Sequence, residues 1–244
     1  MSEVKFALIT DIHGNAEALR AVLQHIDQQN VQAIYCTGDL IAIGHETNEV
    51  LELLTNLNNC YFVSGNHDEA IVTLFESLPY PKSHESTRNH HEWILHNLDK
   101  SFIPFLKQLP REMSKQFGSK HFLFTHYALR GKQKMFHEHP FESIVDPSLE
   151  NMETLFQQYK GYDCICFGHH HPTHLFQNNQ SMFINPGSLG CNGGTFAKYG
   201  LCTINDTIDF QIIKVNYNYE RFIEDFKATN IPDKDFILDT FYKV

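Results

Sequence analysis

Basic residues are scarce in this chain. Over 244 residues, 19 lysines and arginines face 29 aspartates and glutamates, for a formal charge of −10 and a pI near 5.8. That deficit removes the general electrostatic attraction on which duplex nucleic acid binding rests, so no such partner is expected. A small anionic substrate must then meet local positive charge, most simply from metal ions. Cysteines are few as well: the six, at 36, 60, 164, 166, 191 and 202, show neither CxxC spacing nor the density of a secreted disulfide scaffold. Cys36, Cys60, Cys164 and Cys166 fall in apolar strand-like runs and read as small buried hydrophobes. No apolar run approaches membrane-spanning length, and the first strand begins near Val4, leaving no room for a signal peptide. A reducing, cytoplasmic setting without a membrane partner is expected. Repeats, low-complexity tracts and linkers are also missing, which favours a single domain over residues 1–244.

What is present is enough for a sizeable core: 42% of the residues are hydrophobic and 13% aromatic. The N-terminal third alternates strand and helix. Val4 to Thr10 is a continuous apolar run suited to a strand buried on both faces. Asn15 can cap a helix whose Ala18, Leu19, Val22, Leu23 and Ile26 keep helical spacing. Val31 to Thr37 is the next strand, Glu46 to Leu57 the next helix, and Cys60 to Ser64 the third strand. This order argues for a parallel sheet with right-handed crossovers. From about 69 to 117 the pattern is mainly helical, and 128 to 160 is irregular; either stretch can cover the strand ends as an insertion. Strands return at His121 to Thr125, Tyr162 to Phe167, Ser181 to Ile184, Gly200 to Ile204 and Ile208 to Val215, with Asn205-Asp206 as a hairpin turn. The tail from Tyr219 ends in a helix.

Polar residues recur where these strands end. Asp11-Ile12-His13, Gly38-Asp39, Gly65-Asn66-His67-Asp68, His126 and Gly168-His169-His170-His171 each follow an apolar run. In parallel sheets ligands collect at the carboxyl ends of strands. Gathered at one edge, Asp11, Asp39 and Asn66 supply oxygen, and His13, His126, His169 and His171 supply nitrogen. That mixed set is too large for one tetrahedral zinc and lacks the thiolates of a structural zinc site. Two ions sharing a carboxylate fit better, and such pairs clamp the attacking and leaving oxygens of an in-line displacement at phosphorus. Residues two apart in an extended segment point to one side, so Asp11 with His13, and His169 with His171, can each reach a common ion.

The ordered series Asp-x-His, Gly-Asp, Gly-Asn-His-Asp, a lone His after a strand, then Gly-His-x-His resembles the calcineurin-like metallophosphoesterase superfamily, in particular its small bacterial and archaeal phosphodiesterases. Asn185-Pro186-Gly187-Ser188 also resembles a stretch found soon after Gly-His-x-His in that branch. The resemblance implies a four-layer α-β-β-α sandwich. It also implies one ion on Asp11, His13, Asp39 and His171 and a second on Asp39, Asn66, His126 and His169, with Asp39 bridging. Manganese or iron is expected, and zinc or nickel also suits the donors. His67 lies by the leaving group in the family pattern, oriented here by the adjacent Asp68, whose carboxylate is expected to raise the imidazole pKa.

The implied reaction is hydrolysis of phosphodiester or phosphoanhydride bonds of small nucleotide-type substrates by a metal-activated hydroxide. Asymmetric cleavage of dinucleoside polyphosphates, phosphomonoester hydrolysis and a non-enzymatic protein-interaction scaffold stand as alternatives. Phosphoprotein phosphatases and symmetric tetraphosphate hydrolases carry an Arg before the second Gly of Gly-Asp-x-x-x-x-Gly; this chain has Ile43 there, which counts against that branch. Arg130 and Lys132, followed by Lys134, are placed to meet a substrate phosphate, and Tyr80, Trp93, Tyr127 or Phe136 could stack on a base. His90-His91 reads as surface or core.

Overall fold

Three apolar clusters divide the secondary structure into four layers. The computed structural model describes residues 3–131 and 134–244. In the first sheet β1 (Val4–Ile9), β2 (Ala33–Cys36) and β3 (Cys60–Phe62) run parallel, joined by α1 (Ala16–Asp27) and α2 (Thr47–Thr55). Beyond β3 come α3 (Asn66–Phe75), α4 (Arg88–Asn97) and α5 (Ile103–Gln108). The second sheet is built from β4 (Glu112–Phe117), β5 (Lys120–Thr125), β6 (Cys164–Cys166), β7 (His174–Gln177) and β8 (Met182–Asn185), in the order β4-β5-β6-β8-β7, with α6 (Leu149–Leu155) inserted before β6. The chain then returns to the first sheet through the antiparallel pair β9 (Phe196–Ile204) and β10 (Ile208–Asn216), completing the order β10-β9-β1-β2-β3. It finishes in α7 (Tyr219–Ala228) and α8 (Lys234–Ile237).

The alternation inside each apolar run explains the layers. Phe6 and Leu8 of β1 meet Phe122 and Phe124 of β5 and Cys164 and Cys166 of β6 between the sheets. Ala7 and Ile9 turn the other way, toward Ala18, Leu19 and Val22 of α1. Leu123 and Ile165 likewise face outward, toward Met152 and Phe156. Period-two alternation with both faces buried is what makes these strands continuous apolar runs in the sequence. Between the sheets Tyr35 stacks on Phe124 at 4.1 Å and 9° and meets Phe6 edge-on at 5.0 Å. Burying each such side chain contributes about 1.5–3 kcal/mol, and well-oriented ring pairs add ~0.5–1.5 kcal/mol, so this cluster fixes how the sheets dock.

Two strands lie outside the sequence-based expectation. β4 sits at the end of the stretch expected to be helical, and β7 follows the Gly168 to His171 segment. Both are edge strands of the second sheet; β4 is mostly polar and half-exposed, and the four residues of β7, with His174 buried and Leu175 exposed, are too few to leave an apolar run to read. β9 also begins at Phe196 rather than Gly200, while the Asn205-Asp206 turn lies where expected, Asn205 donating its N–H to Thr207 O at 3.0 Å. Among the described residues no helix is long and apolar enough to cross a membrane.

Candidate functional site

At the carboxyl ends of β1, β2 and β6 the backbone turns abruptly. Asp11, His13, Asp39 and His169 have φ of 50°, 50°, 52° and 69°, the left-handed region that costs a non-glycine residue about 1–3 kcal/mol. The turns hold each other in it. Asp11 N–H donates to Gly38 O at 3.0 Å, His13 N–H to Asp39 O at 3.1 Å, and His169 N–H to the Asp11 carboxylate at 3.1 Å. Two glycines allow this proximity. A Cβ on Gly65 would lie 2.1 Å from Asp39 Oδ1, and one on Gly168 would lie 1.9 Å from Thr10 Oγ1 and 2.6 Å from Asp11 Oδ2. The Asn185 to Ser188 stretch ties the loops from behind, with the Asn185 amide donating to Gly168 O and His170 O and Ser188 Oγ donating to Asp11 O at 2.8 Å.

This lacing brings together all seven residues expected as metal ligands. Asp39 Oδ2 lies 3.2 Å from His126 Nε2 and 3.7 Å from His13 Nε2. Asp11 Oδ1 lies 3.6 Å from His13 Nε2 and 3.7 Å from His171 Nε2, and Asn66 Oδ1 lies 3.1 Å from His126 Nε2. Among the described residues, potential ligand atoms fall within 4.8 Å of one another in three groups: Asp39 with His126 and His169, His13 with Asp39 and His67, and His13 with His171 and Cys191. Asp39 is common to the first two. Cys191 was not among the residues singled out in the sequence. It is buried in the loop after β8, its thiol 3.6 Å from His171 Nδ1, and only the fold brings it there.

The electrostatics of the cluster favour cations. Burial alone would raise the Asp39 carboxyl, but His126 and the other imidazoles overcome it and hold Asp39 well below the carboxylate range. Asp11 is lowered against the same burial cost by its contact with His13 and the charges of His126 and His171. Burial drives His169 down to about 3 and His171 to about 4, so both rings are neutral and carry lone pairs. His126 resists its burial and rises to about 9 because Asp39 and Asp11 favour positive charge at that ring. Ionised carboxylates beside the neutral rings of His169 and His171 are the protonation states that metal ligands require, while His13 and His126, both raised by the carboxylates, would release a proton on binding, and the N/O donor set suits first-row transition ions. The residues therefore fit a metal centre.

One pairing read from the sequence needs correction. Asp68 does not hold His67: its two carboxylate oxygens accept from Gly65 N–H at 2.9 Å and Leu40 N–H at 3.0 Å. As the third residue of α3, it closes back on the helix N-terminus, where unpaired N–H groups compete for it. Burial, followed by the charge of Asp39, raises Asp68 to about 7. His67 Nδ1 instead meets His91 Nε2 of α4 at 2.7 Å, and His91 Nδ1 meets Tyr80 Oη at 2.6 Å. Desolvation, opposed by Asp39, pushes the His67 ring well below the ordinary imidazole range, the reverse of the expected direction. His91 is indeed buried, but against the site rather than in bland core.

A cavity of about 400 Å³ opens beside Asn66 and His169, lined also by Phe136, Phe141, His84 and Arg130. Arg130 thus reaches the rim, with its guanidinium held by Glu142 at 3.0 Å and Ser143 at 2.8 Å. Lys132 lies outside the described residues. Phe136 keeps its place among the aromatics considered for base stacking, whereas Tyr127 is fully buried and Trp93 donates to Asn230 at 2.9 Å. Ile43 is buried, and its N–H donates to His90 Nε2 at 2.8 Å.

Comparison with known proteins places this arrangement. The profile of the calcineurin-like phosphoesterase superfamily domain matches residues 4–207. An uncharacterized protein of Methanocaldococcus jannaschii is 29% identical over 96% of both chains. A symmetrical bis(5'-nucleosyl)-tetraphosphatase of Erwinia tasmaniensis is 34% identical, but over 29% of this chain and 27% of that protein. Among solved structures, a hypothetical protein from Pyrococcus horikoshii superposes with a TM-score of 0.78 at 18% identity, covering 99% of both chains. A metallophosphoesterase from Sphaerobacter thermophilus superposes with a TM-score of 0.71 at 20% identity, covering 95% of this chain and 96% of that one.

Proposed function

Since the chain belongs to the calcineurin-like phosphoesterase superfamily, a metal-dependent family of phosphoester hydrolases, we propose that it cleaves phosphodiester or phosphoanhydride bonds of small nucleotide-type substrates at a dinuclear centre. The observation that carries this reading is the Asp39 carboxylate, shared between the group containing His126 and His169 and the group containing His13. Asp11, His13, Asp39 and His171 would hold one ion, and Asp39, Asn66, His126 and His169 the other. Bound there, the ions supply positive charge for phosphoryl oxygens and bring the pKa of water down to about 7.

The remaining work falls to the chain. His67, half-buried at the start of α3 with its ring 5.1 Å from that of His13, gives a proton or hydrogen bond to the departing oxygen. The cavity beside Asn66 and His169 takes the rest of the substrate, with Phe136 and Phe141 as apolar walls and Arg130 at its rim. Asp68 acts on the scaffold, keeping Gly65 and Leu40 in register so that Asn66 and His67 project from the first turn of α3.

The test is turnover by manganese-reconstituted protein of bis(p-nitrophenyl) phosphate, p-nitrophenyl phosphate, cyclic nucleotides and dinucleoside polyphosphates. Diesters are expected to exceed monoesters, and His67→Ala to lower turnover by roughly 10²- to 10⁴-fold with full metal content. Turnover of none of these with any divalent metal would favour the scaffold reading, and an unchanged His67→Ala rate would remove His67 from the reaction. Arg130→Ala is expected to raise KM about tenfold with kcat unchanged, the effect of losing one charged contact. Polyphosphate hydrolysis is the second reading, motivated by the local likeness to a tetraphosphatase; a preference for dinucleoside polyphosphates in the same screen would establish it.

A further inference from the structure

The expected ligand imidazoles differ in what stands behind them. His126 Nδ1 meets Thr37 O at 2.7 Å and His13 Nδ1 meets Ile41 O at 3.4 Å, so each of these buried rings is oriented by a backbone carbonyl. A metal-binding imidazole ordinarily takes its orientation from such an oxygen. His171 lacks one: among the described residues its Nδ1 meets only the Cys191 thiol, at 3.6 Å, and sulfur is a weak hydrogen-bonding partner. Its side chain is also the more exposed, at 22% against 0% for His13 and His126.

Against this ring lies Phe241 of the C-terminal tail, with 5.7 Å between centroids and 50° between planes. That spacing is within the range of a packed aromatic pair. We infer that the C-terminal tail is part of the candidate metal centre, with Phe241 as the positioning residue that holds the His171 imidazole toward Asp11 and His13.

The tail is fixed on both sides of Phe241. Leu238–Tyr242 forms a single turn of π-helix after α8, and its last residue, Tyr242, is buried against Phe222 at 5.3 Å and Phe226 at 5.8 Å. The Tyr242 carbonyl accepts from Tyr219 Oη at 2.7 Å. Tyr242 thus anchors the turn on α7, while the half-buried Phe241 faces His171. A second tie runs from Gly193 N–H to Phe241 O at 3.0 Å. Gly193 shares its loop with Gly190, whose N–H donates to Asp11 O at 3.1 Å and whose carbonyl accepts from the Asn15 amide at 2.8 Å. The tail therefore reaches the site twice, through the His171 ring and through the loop that braces Asp11. All of it lies beyond residue 207, where the match to the family profile ends.

The inference rests on the reading of the cluster as a dinuclear centre, and titration of the metal-free protein with cobalt(II), followed by visible absorption, tests the two separately. Wild-type protein is expected to take two equivalents. In Phe241→Ala one equivalent should bind about tenfold more weakly, the effect of losing support behind one ligand, and the other should stay within about twofold. Equal weakening of both equivalents, or of neither, would overturn the inference. Phe241→Leu, which keeps most of the apolar volume and so the fold, should show a smaller loss at the same equivalent; unchanged binding there would also overturn it. His171→Asn should weaken that equivalent too, and adding Phe241→Ala to it should cost less than about twofold more, because residues that act through one another are not additive. A further tenfold loss in the double variant would mean that Phe241 does not act through His171 and would overturn its positioning role. Phe236→Ala, on the same tail but 65% exposed, should bind as the wild type does; a matching loss there would make the effect one of the tail at large and sink the assignment to Phe241. A wild type that takes only one equivalent sinks the dinuclear reading, and the inference then survives only if Phe241→Ala weakens that equivalent and Phe236→Ala does not.

Discussion

The two sheets contribute different chemistry to one edge. Loops after β1, β2 and β3 deliver every oxygen donor of the expected ligand set, Asp11, Asp39 and Asn66, with His13 as its one imidazole from this half. Loops after β5 and β6 deliver only imidazoles, His126, His169 and His171. The first half by itself holds two buried carboxylates without their opposite charge, an arrangement that is costly to desolvate. The second half holds imidazoles only, with no carboxylate to attract an ion. Hydrogen bonds across the seam, from His126 Nδ1 to Thr37 O at 2.7 Å and from His169 N–H to Asp11, join the halves at the site. Metal affinity is therefore a property of sheet docking as much as of the ligands.

The contrast between the halves is broken most severely at Asp39, the residue common to both ligand groups. Asp39→Ala is expected to abolish binding of both ions and cut turnover by roughly 10³-fold or more, read by metal analysis of the purified variant. Retention of one tightly held ion would show that the imidazole half holds its ion unaided. Next comes a matched pair of core changes. Phe124→Ala lies between the sheets and Phe183→Ala lies on the outer side of the second sheet, and both residues are buried. Each is expected to destabilise by about 3–5 kcal/mol. The stabilisation by metal at 100 times its Kd, about 2.7 kcal/mol for one site, should survive in Phe183→Ala and shrink in Phe124→Ala. Equal metal responses in thermal melts would separate the site from sheet docking. The smallest effect is expected at Gly168, where a methyl group meets Thr10 and Asp11. Gly168→Ala should weaken metal affinity by roughly 10- to 100-fold, and unchanged affinity would mean that Thr10 and Asp11 yield without cost.

The sequence was most legible where one physical cause acted along the chain. β1, β2, β5 and β6 are buried on both faces, so each appears as an apolar run, and the polar residues that follow stand out against it. β4 and β7 lack that signal because an edge strand in water needs no apolar alternation. The role of Asp68 is misjudged from adjacency, which suggests a partner for His67. Gly-Asn-His-Asp places a carboxylate third in a helix, where it caps the N-terminus. His91 was not legible, since only the packing of α4 beside α3 brings position 91 to position 67.

The left-handed backbone at Asp11, His13, Asp39 and His169 has a consequence for protein engineering. Glycine adopts that conformation without a steric cost, so at each of the four positions the residue needed for chemistry is not the one that local stability prefers. A laboratory search for heat-resistant variants, run without metal and without demanding turnover, would accumulate glycine there early. Its winners would melt later and hydrolyse nothing.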